Sequence, residues 1–341
     1  MTGRMELNTK YENNINQILA REPKYMNHFN VFMVADNKTA ITRLNYISDA
    51  VKFIHYLEDN GFIIKTENDF SQVTINDVRM YLQWDDNRMI SERGRISDSY
   101  KYLRHFSLNC LFNFLEDNEI ITKNPMNKIK TPKNDRMNKK LYLDIPEVRE
   151  IEMNANNGKS DRTKSYTTQW KERDAAIINL GFETGLRVSA IVSINLEDIN
   201  WEEEYINTIE KGNRPRQVFM NKRTADTLKI WIEKRNKYVY EKGIDTQALF
   251  ITKKQGRISA LTIGRILRSY AGDLNKNGRI KPHTMRSSKG NNIVKVTGNV
   301  EAARIALGHS NISTTQKYLE DSLEQQKKIA SIDIYGDEKY E

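Results

Sequence analysis

Residues 307–318 read LGHSNISTTQKY, and this stretch places Tyr318 nine residues after His309. Two further short stretches lie upstream, TGLRVS at residues 184–189 and HTMR at residues 283–286. Each stretch alone is a weak signal, because arginine, histidine and tyrosine are common on protein surfaces and in cores. Together, and in this order, they indicate one shared site in the C-terminal half of the chain.

The two arginines of these stretches suit the chemistry of a phosphodiester under attack. A guanidinium group is forked and permanently charged, so it can hold the non-bridging oxygens of a phosphate while negative charge grows on them. Arg187 and Arg286 fit this role, and each contact made mainly in the transition state would contribute about 10²–10³ in rate. A lone arginine, by contrast, is more often part of a surface salt bridge.

Tyr318 is the candidate nucleophile. A tyrosine hydroxyl has an ordinary pKa of about 10 and reacts weakly, but two nearby guanidinium groups favour its phenolate. Attack would leave a phosphotyrosyl bond, which stores the energy of the phosphodiester and therefore allows rejoining without ATP. The chain has 16 tyrosines, so Tyr318 stands out only through its position after His309.

With Lys211 in a predicted β-turn between Arg187 and Arg286, the stretches resemble the active site of the tyrosine recombinase, or phage integrase, family in order and spacing. The resemblance covers roughly residues 143–330 and extends more weakly to the region before them. It implies cleavage through a link to the 3′ phosphate, which leaves a free 5′ hydroxyl. It also implies a site-specific recombinase, either an integrase or transposase of a mobile element or a chromosome-dimer resolvase.

The resemblance assigns a role to the remaining site residues. Lys211 would be the general acid for the departing 5′ oxygen, although a lysine in a hairpin is usually a solvated turn residue. His283 would accept or relay the proton of the nucleophile, and His309 would donate a hydrogen bond to the phosphate. The candidate catalytic residues are Arg187, Lys211, His283, Arg286, His309 and Tyr318.

Two positions depart from the family's pattern. An acidic residue commonly stands three positions after the first arginine, where this chain has Ala190. Histidine often follows the second arginine, where this chain has the small and polar Ser287. Ala190 bears on how firmly the helix of Arg187 is braced, and it leaves the chemistry unchanged.

Hydrophobic periodicity predicts two domains. Residues 1–123 show helical spacing and little strand pattern, which favours a compact bundle of four or five helices, an all-α core-binding domain. Residues 124–142 carry two prolines and many basic side chains, which predicts a linker that is either a solvated loop or lies along a phosphate backbone. Residues 143–341 are expected to form the catalytic domain and its C-terminal docking tail.

The expected fold class is therefore mainly α. In the catalytic domain, an apolar helix at residues 171–184 stops at Gly185, and a hairpin follows with one strand around Ile206 and Ile209. Its turn holds Lys211, and its return strand covers residues 217–220. This pattern predicts a mixed α/β domain with a small antiparallel sheet.

Composition indicates where the protein acts and on what. The formal net charge of +9 is typical of a protein whose partner is a polyanion such as DNA or RNA. A single cysteine, Cys110, excludes an intrachain disulfide and a zinc site built on cysteines. The polar first residues predict no signal peptide and the apolar stretches are too short to span a bilayer, so no membrane partner is expected. We predict a cytoplasmic protein, associated with the nucleoid when it is bound to DNA.

The resemblance also implies partners. The two domains would close on double-stranded DNA, and four protomers would act on paired sites, with accessory DNA-bending or directionality proteins as further candidates. Residues 322–334 are amphipathic enough to dock on a neighbouring protomer. No cofactor and no metal are expected, because no carboxylate cluster accompanies the site and its cations already supply positive charge. A type IB topoisomerase and a DNA-binding protein without catalysis are the alternatives.

Overall fold

The computed structural model describes residues 2–88, 96–132, 141–161, 164–210, 214–254, 256–275, 278 and 280–308, with the backbone alone for residues 164–168 and 210. Backbone contacts divide the chain into two units, Gly3–Lys139 and Lys140–Glu341. The division into residues 1–123, 124–142 and 143–341 stays a prediction. No described helix is both long enough and apolar enough to span a bilayer.

The first unit is helical throughout its described residues. Its α-helices are α1 Gly3–Leu19, α2 Tyr25–Ala35, α3 Ala40–Asp59, α4 Ile75–Asn87 and α5 Asp98–Asp117. Helix α3 is central, because it packs against each of the other helices. The expected helical bundle is confirmed.

The apolar periodicity of α3 explains its place in the core. Ile47 and Leu57 have no exposed surface, and Ile54 is 1% exposed. The helix ends at Asp59, and Gly61 follows two residues later with a φ of +89°, a conformation that glycine adopts without strain. The helical spacing of Ile47, Ile54 and Leu57 and the glycine at position 61 predict a helix that stops here, and the structure confirms both.

Asp85 on α4 is a buried charge inside this unit. Its carboxylate has no exposed surface and accepts hydrogen bonds from Lys52 on α3 and Arg104 on α5. Burial alone would raise the pKa of Asp85, but the hydrogen bonds and charges of Lys52 and Arg104 hold it below its ordinary value. Arg104 also donates to Asp86 at 2.7 Å, so one ionic cluster ties three helices together.

The second unit combines helices with one small sheet. Its helices are α6 Ile145–Asn156, α7 Lys164–Thr184, α8 Val188–Ser193, α9 Lys222–Lys242, α10 Ala260–Ala271, α11 Pro282–Thr297 and α12 Val300–Leu307. Its strands are β1 Ile199–Asn200, β2 Tyr205–Glu210 and β3 Arg214–Phe219, in the order β1-β2-β3. The fold is mainly α with a small antiparallel sheet, as predicted.

The sheet presents the predicted hairpin. Strands β2 and β3 pair antiparallel up to Glu210 and Arg214. The tip between them, residues 211–213 with Lys211, lies outside the described residues. Strand β1 pairs only with β2, which leaves β3 at the edge of the described sheet. Strand β1 was not predicted, since two residues are too short to show alternation.

Helix α7 is the core helix of the second unit. It packs against α6, α9 and α11, and Ala176, Ile177 and Leu180 have no exposed surface. At Gly181 the approach of α11 is so close that a Cβ atom would stand 2.5 Å from Sδ of Met285. This packing sets the end of α7, just before Arg187, beside the helix that carries Arg286.

Candidate active site

Arg187 occupies the N-cap position of α8, directly after the turn that ends α7. Its backbone is extended, with φ −65° and ψ 143°, and its carbonyl accepts the backbone N–H of Ala190 at 2.9 Å. The turn is closed by Thr184, whose hydroxyl donates to the carbonyl of Leu180 at 2.5 Å. The half-buried side chain of Arg187 is therefore set by a short helix start with fixed backbone geometry.

Gly185 is required in this turn for two reasons. Its φ is +62°, in the left-handed region, and a Cβ atom would stand 2.6 Å from Cδ2 of Leu307 and 3.3 Å from Cβ of Lys289. The bare backbone thus lets α11 and the end of α12 approach. This close approach brings the three separately encoded stretches together.

Arg286 joins these stretches through hydrogen bonds to backbone carbonyls. Its Nη1 donates to the carbonyl of Gly185 at 2.8 Å, and its Nη2 donates to the carbonyl of Leu307 at 2.5 Å. The side chain is 1% exposed. Arg286 is therefore held between Gly185, two residues before Arg187, and Leu307, two residues before His309.

The other residues of α11 near Arg286 differ in exposure. His283 lies in the first turn of the helix and is exposed. Ser287 is 1% exposed, and within the described part of the chain its hydroxyl has no hydrogen-bond partner. The residue after Arg286 is therefore packed into the unit, and a small side chain fits there.

The LGH stretch forms a corner at the end of α12. Leu307 is fully buried, and Gly308 takes the left-handed conformation with φ +63°. Arg216 on β3 donates to the carbonyls of Ile305, Ala306 and Leu307 at 3.4, 2.6 and 2.9 Å. A Cβ atom at Gly308 would stand 2.6 Å from Nη1 of Arg216, so this corner also needs glycine.

Three of the predicted site residues lie outside the described residues: Lys211, His309 and Tyr318. The structure does describe the strands on either side of the turn with Lys211 and the corner that leads into His309. It thus brings together the backbone around Arg187, the side chain of Arg286 and the residue before His309. The six catalytic assignments stay predictions.

Two arginines that the sequence did not single out brace this site. Arg216 holds the corner before His309, and Arg257 holds the end of α8. Nη1 of Arg257 donates to the carbonyls of Val192 and Ile194 at 3.0 and 3.1 Å. Ala190 is 3% exposed and packs inside, and Arg257 bonds to carbonyls at the end of the helix that follows Arg187. Both arginines bind backbone carbonyls, which every residue has. The sequence therefore contains no motif that would have indicated either arginine.

This fold, with its two arginine stretches and the corner before His309, defines a class of enzymes that break and rejoin DNA. Residues 150–325 match the sequence model of the phage integrase family, slightly more than half of the chain. The chain therefore belongs to the phage integrase family of tyrosine recombinases, which are DNA strand transferases. The predicted family is confirmed.

Individual relatives agree with this assignment. A "Tyrosine recombinase XerC" from Caldanaerobacter subterraneus subsp. tengcongensis is 28% identical over 310 residues, covering 85% of this chain and 80% of the relative. A XerH site-specific recombinase, solved with palindromic difH substrate, has a TM-score of 0.62 and 18% identity, covering 89% of this chain and 82% of that one. The Tn1549 transposon integrase, solved with circular intermediate DNA, has a TM-score of 0.54 and 19% identity, covering 77% and 86%.

Proposed function

We propose that this chain is a site-specific DNA recombinase that cuts and rejoins double-stranded DNA through a covalent bond between Tyr318 and the 3′ phosphate. The phenolic oxygen attacks phosphorus, the bond to the 5′ oxygen breaks, and the 5′ hydroxyl is released. A 5′ hydroxyl from a second strand then attacks the phosphotyrosyl bond and releases Tyr318. The number of phosphodiester bonds is unchanged, so the cycle needs no energy source.

The hydrogen bonds of Arg286 carry this proposal. One guanidinium donates to Gly185, beside Arg187, and to Leu307, beside His309. Three separate stretches of the sequence therefore meet at the Arg286 side chain. A phosphate site built from two arginines and a histidine requires such a meeting point. Tyr318 follows Gly308 by ten residues, which span at most about 35 Å, so its phenol has ample reach to such a site.

The proposed proton transfers involve Lys211 and His283. The phenolic proton passes to His283, directly or by relay, and Lys211 donates a proton to the departing 5′ oxygen. His283 is exposed in the first turn of α11, where a substrate has access to it. Arg187 and Arg286 stabilise the charge that develops on the phosphate, with His309 as a hydrogen-bond donor.

We further propose that the active species is a tetramer on paired DNA sites. The XerH and Tn1549 integrase relatives were solved with DNA, which supports duplex DNA as the partner of this chain. Residues 124–142 would follow the phosphate backbone, residues 322–334 would dock on a neighbouring protomer, and accessory DNA-bending or directionality proteins would assist. Bound to DNA, the protein would be associated with the nucleoid.

For the biological context we propose integration or excision of a mobile element, with chromosome-dimer resolution as the second candidate. The similarity to a transposon integrase supports the first. The match to a XerC recombinase over 85% of the chain supports the second. Mapping the DNA that the protein protects and recombines distinguishes them, because an element is cut at its two ends and a resolvase pairs two copies of one chromosomal site. Relaxation of supercoils without site preference would instead identify a topoisomerase.

Trapping the covalent adduct tests the chemistry. With a suicide substrate nicked near the cut site, the native chain should form an adduct that survives SDS, and digestion should place the nucleotide on the peptide with Tyr318. Tyr318→Phe should form none while it still shifts the same DNA in a native gel. Tyr240→Phe is the matched control, because Tyr240 is 88% exposed at the surface of α9. An adduct on another residue, or an undiminished yield from Tyr318→Phe, would refute the proposal.

A further inference from the structure

Arg216 connects the edge of the sheet to the end of α12. Its backbone belongs to β3, where it pairs with Thr208 on β2, and its guanidinium donates to the last three carbonyls of α12. The C-terminal end of a helix carries partial negative charge and unpaired carbonyls, so a cation bound there is favoured. The side chain therefore fixes the hairpin relative to the helix end.

The carbonyl of Leu307 is shared by two arginines. It accepts Nη1 of Arg216 at 2.9 Å and Nη2 of Arg286 at 2.5 Å. A carbonyl oxygen has two lone pairs, so both bonds can form together. The carbonyl oxygen of Leu307, two residues before His309, therefore holds both arginines. One arginine belongs to β3, which follows the Lys211 turn, and the other is Arg286, the candidate phosphate-binding residue.

The fork of the guanidinium is what suits this position. Arg216 reaches three successive carbonyls with its two terminal nitrogens, and Gly308 leaves room for the group where any Cβ atom would collide with it. A lysine has one compact ammonium on a flexible stem, so it would keep the charge without the fork geometry.

We propose that Arg216 is a positioning residue that holds the β2–β3 hairpin where Lys211 can protonate the 5′ oxygen. This inference rests on the proposed role of Lys211 as general acid. Strand β3 lies at the edge of the described sheet, so its place depends on β2 on one side and on contacts such as those of Arg216 on the other. Without Arg216, β3 loses its tie to the corner, and we expect proton donation to the leaving oxygen to slow.

A leaving group that needs no proton tests this role. In a suicide substrate with sulfur in place of the bridging 5′ oxygen, attack by Tyr318 breaks the P–S bond and releases a thiolate. A thiol has an ordinary pKa of about 8.5, far below that of an alcohol, so the thiolate departs without an acid. The rates of adduct formation on oxygen and sulfur substrates are compared for the native chain, Arg216→Ala, Arg216→Lys and Arg304→Ala.

Arg304→Ala is the matched control, because Arg304 lies on α12, whose last carbonyls Arg216 binds, and pairs with Glu301 in the first turn of that helix. Native-gel shifts and thermal melts accompany each rate, so that loss of binding or folding is seen directly. If Arg216→Ala does not fold, Arg216→Lys carries the test, since it retains the charge and most of the side-chain volume.

We expect Arg216→Ala to cleave the oxygen substrate about ten- to a hundredfold more slowly, part of the 10²–10⁴ that general acid–base catalysis contributes. On the sulfur substrate its rate should return to within about threefold of the native rate, and Arg216→Lys should show the same pattern at smaller size. An equal defect of Arg216→Ala on both substrates, or no defect on either, would overturn the role of Arg216. The proposed function would still stand in that case, provided that the native chain forms the adduct. A native chain that forms no adduct at all would overturn the proposed function and this inference with it.

Discussion

Replacing Gly185 by alanine should damage both the stability and the chemistry of the second unit. Two costs combine at this position. The φ of +62° costs an L-residue about 1–2 kcal/mol, and the new Cβ atom would stand 2.6 Å from Cδ2 of the fully buried Leu307. Overpacking of a core costs about 1–3 kcal/mol. The total loss of unfolding free energy should therefore be about 2–5 kcal/mol.

Gly243 provides the matched control for this prediction. It has a φ of +60°, but a Cβ atom there would meet nothing within 4 Å. Gly243→Ala should therefore lose only the backbone cost of about 1–2 kcal/mol. The difference between the two variants isolates the collision with Leu307, and urea unfolding followed by the fluorescence of Trp170 and Trp231 in this unit measures it.

The same substitution tests the frame of the site. Leu307 and Gly185 each supply a carbonyl to Arg286, so pushing them apart should weaken both hydrogen bonds. Adduct formation by Gly185→Ala should fall more than about tenfold, which corresponds to about 1.4 kcal/mol of barrier, while DNA binding persists. Equal stability of the two variants together with a native rate for Gly185→Ala would show that the contact with Leu307 does not organise the site.

Three further predictions concern charge. Asp85→Asn should destabilise the first unit by about 3 kcal/mol at pH 7, because it leaves Lys52 and Arg104 without their buried carboxylate. The folded pKa of Asp85 is lowered, so its contribution is present above the unfolded pKa of about 3.9 and is lost below it; urea midpoints of the two proteins should converge at lower pH. Strand cleavage should proceed in EDTA, since Arg187, Arg286 and Lys211 supply the positive charge; cleavage that only Mg²⁺ restores would contradict this mechanism. Alanine at four linker lysines should flatten the slope of log K against log salt, and an unchanged slope would mean that the linker is a solvated loop. These lysines are Lys130, Lys133, Lys139 and Lys140.

Local signals in the sequence predicted the elements that depend on local chemistry. Thr74 and Asp77 have the three-residue spacing that predicts a capping box, and they form it at the start of α4, with the N–H of Thr74 donating to Asp77 Oδ2 at 2.8 Å. Helix α7 ends at Thr184 and is followed by Gly185 at positive φ, as expected. Such signals act over three or four residues, so a single sequence is enough to reveal them.

The frame around the site could not be predicted in this way. Arg216 and Arg257 bind carbonyls that lie 89 to 91 and 63 to 65 residues away in the chain. Every residue has a carbonyl, so the acceptor leaves no mark in the sequence, and the donor looks like any surface arginine. Only the tertiary fold selects which carbonyls meet which guanidinium groups.

The same property accounts for the departure at Ala190. A brace from an acidic side chain depends on that one residue, whereas a brace between an arginine and backbone carbonyls is indifferent to the side chains of the helix it holds. In this chain Arg257 binds the carbonyls of Val192 and Ile194, and Ala190 is free to fill the core at 3% exposure. Arg286 and Arg216 use the carbonyl of Leu307 in the same manner. The geometry around Arg187 and before His309 therefore depends on hydrogen bonds from arginine side chains to backbone carbonyls. Residues that supply only a carbonyl can be substituted, whereas the arginines that donate and the glycines that leave room for them cannot.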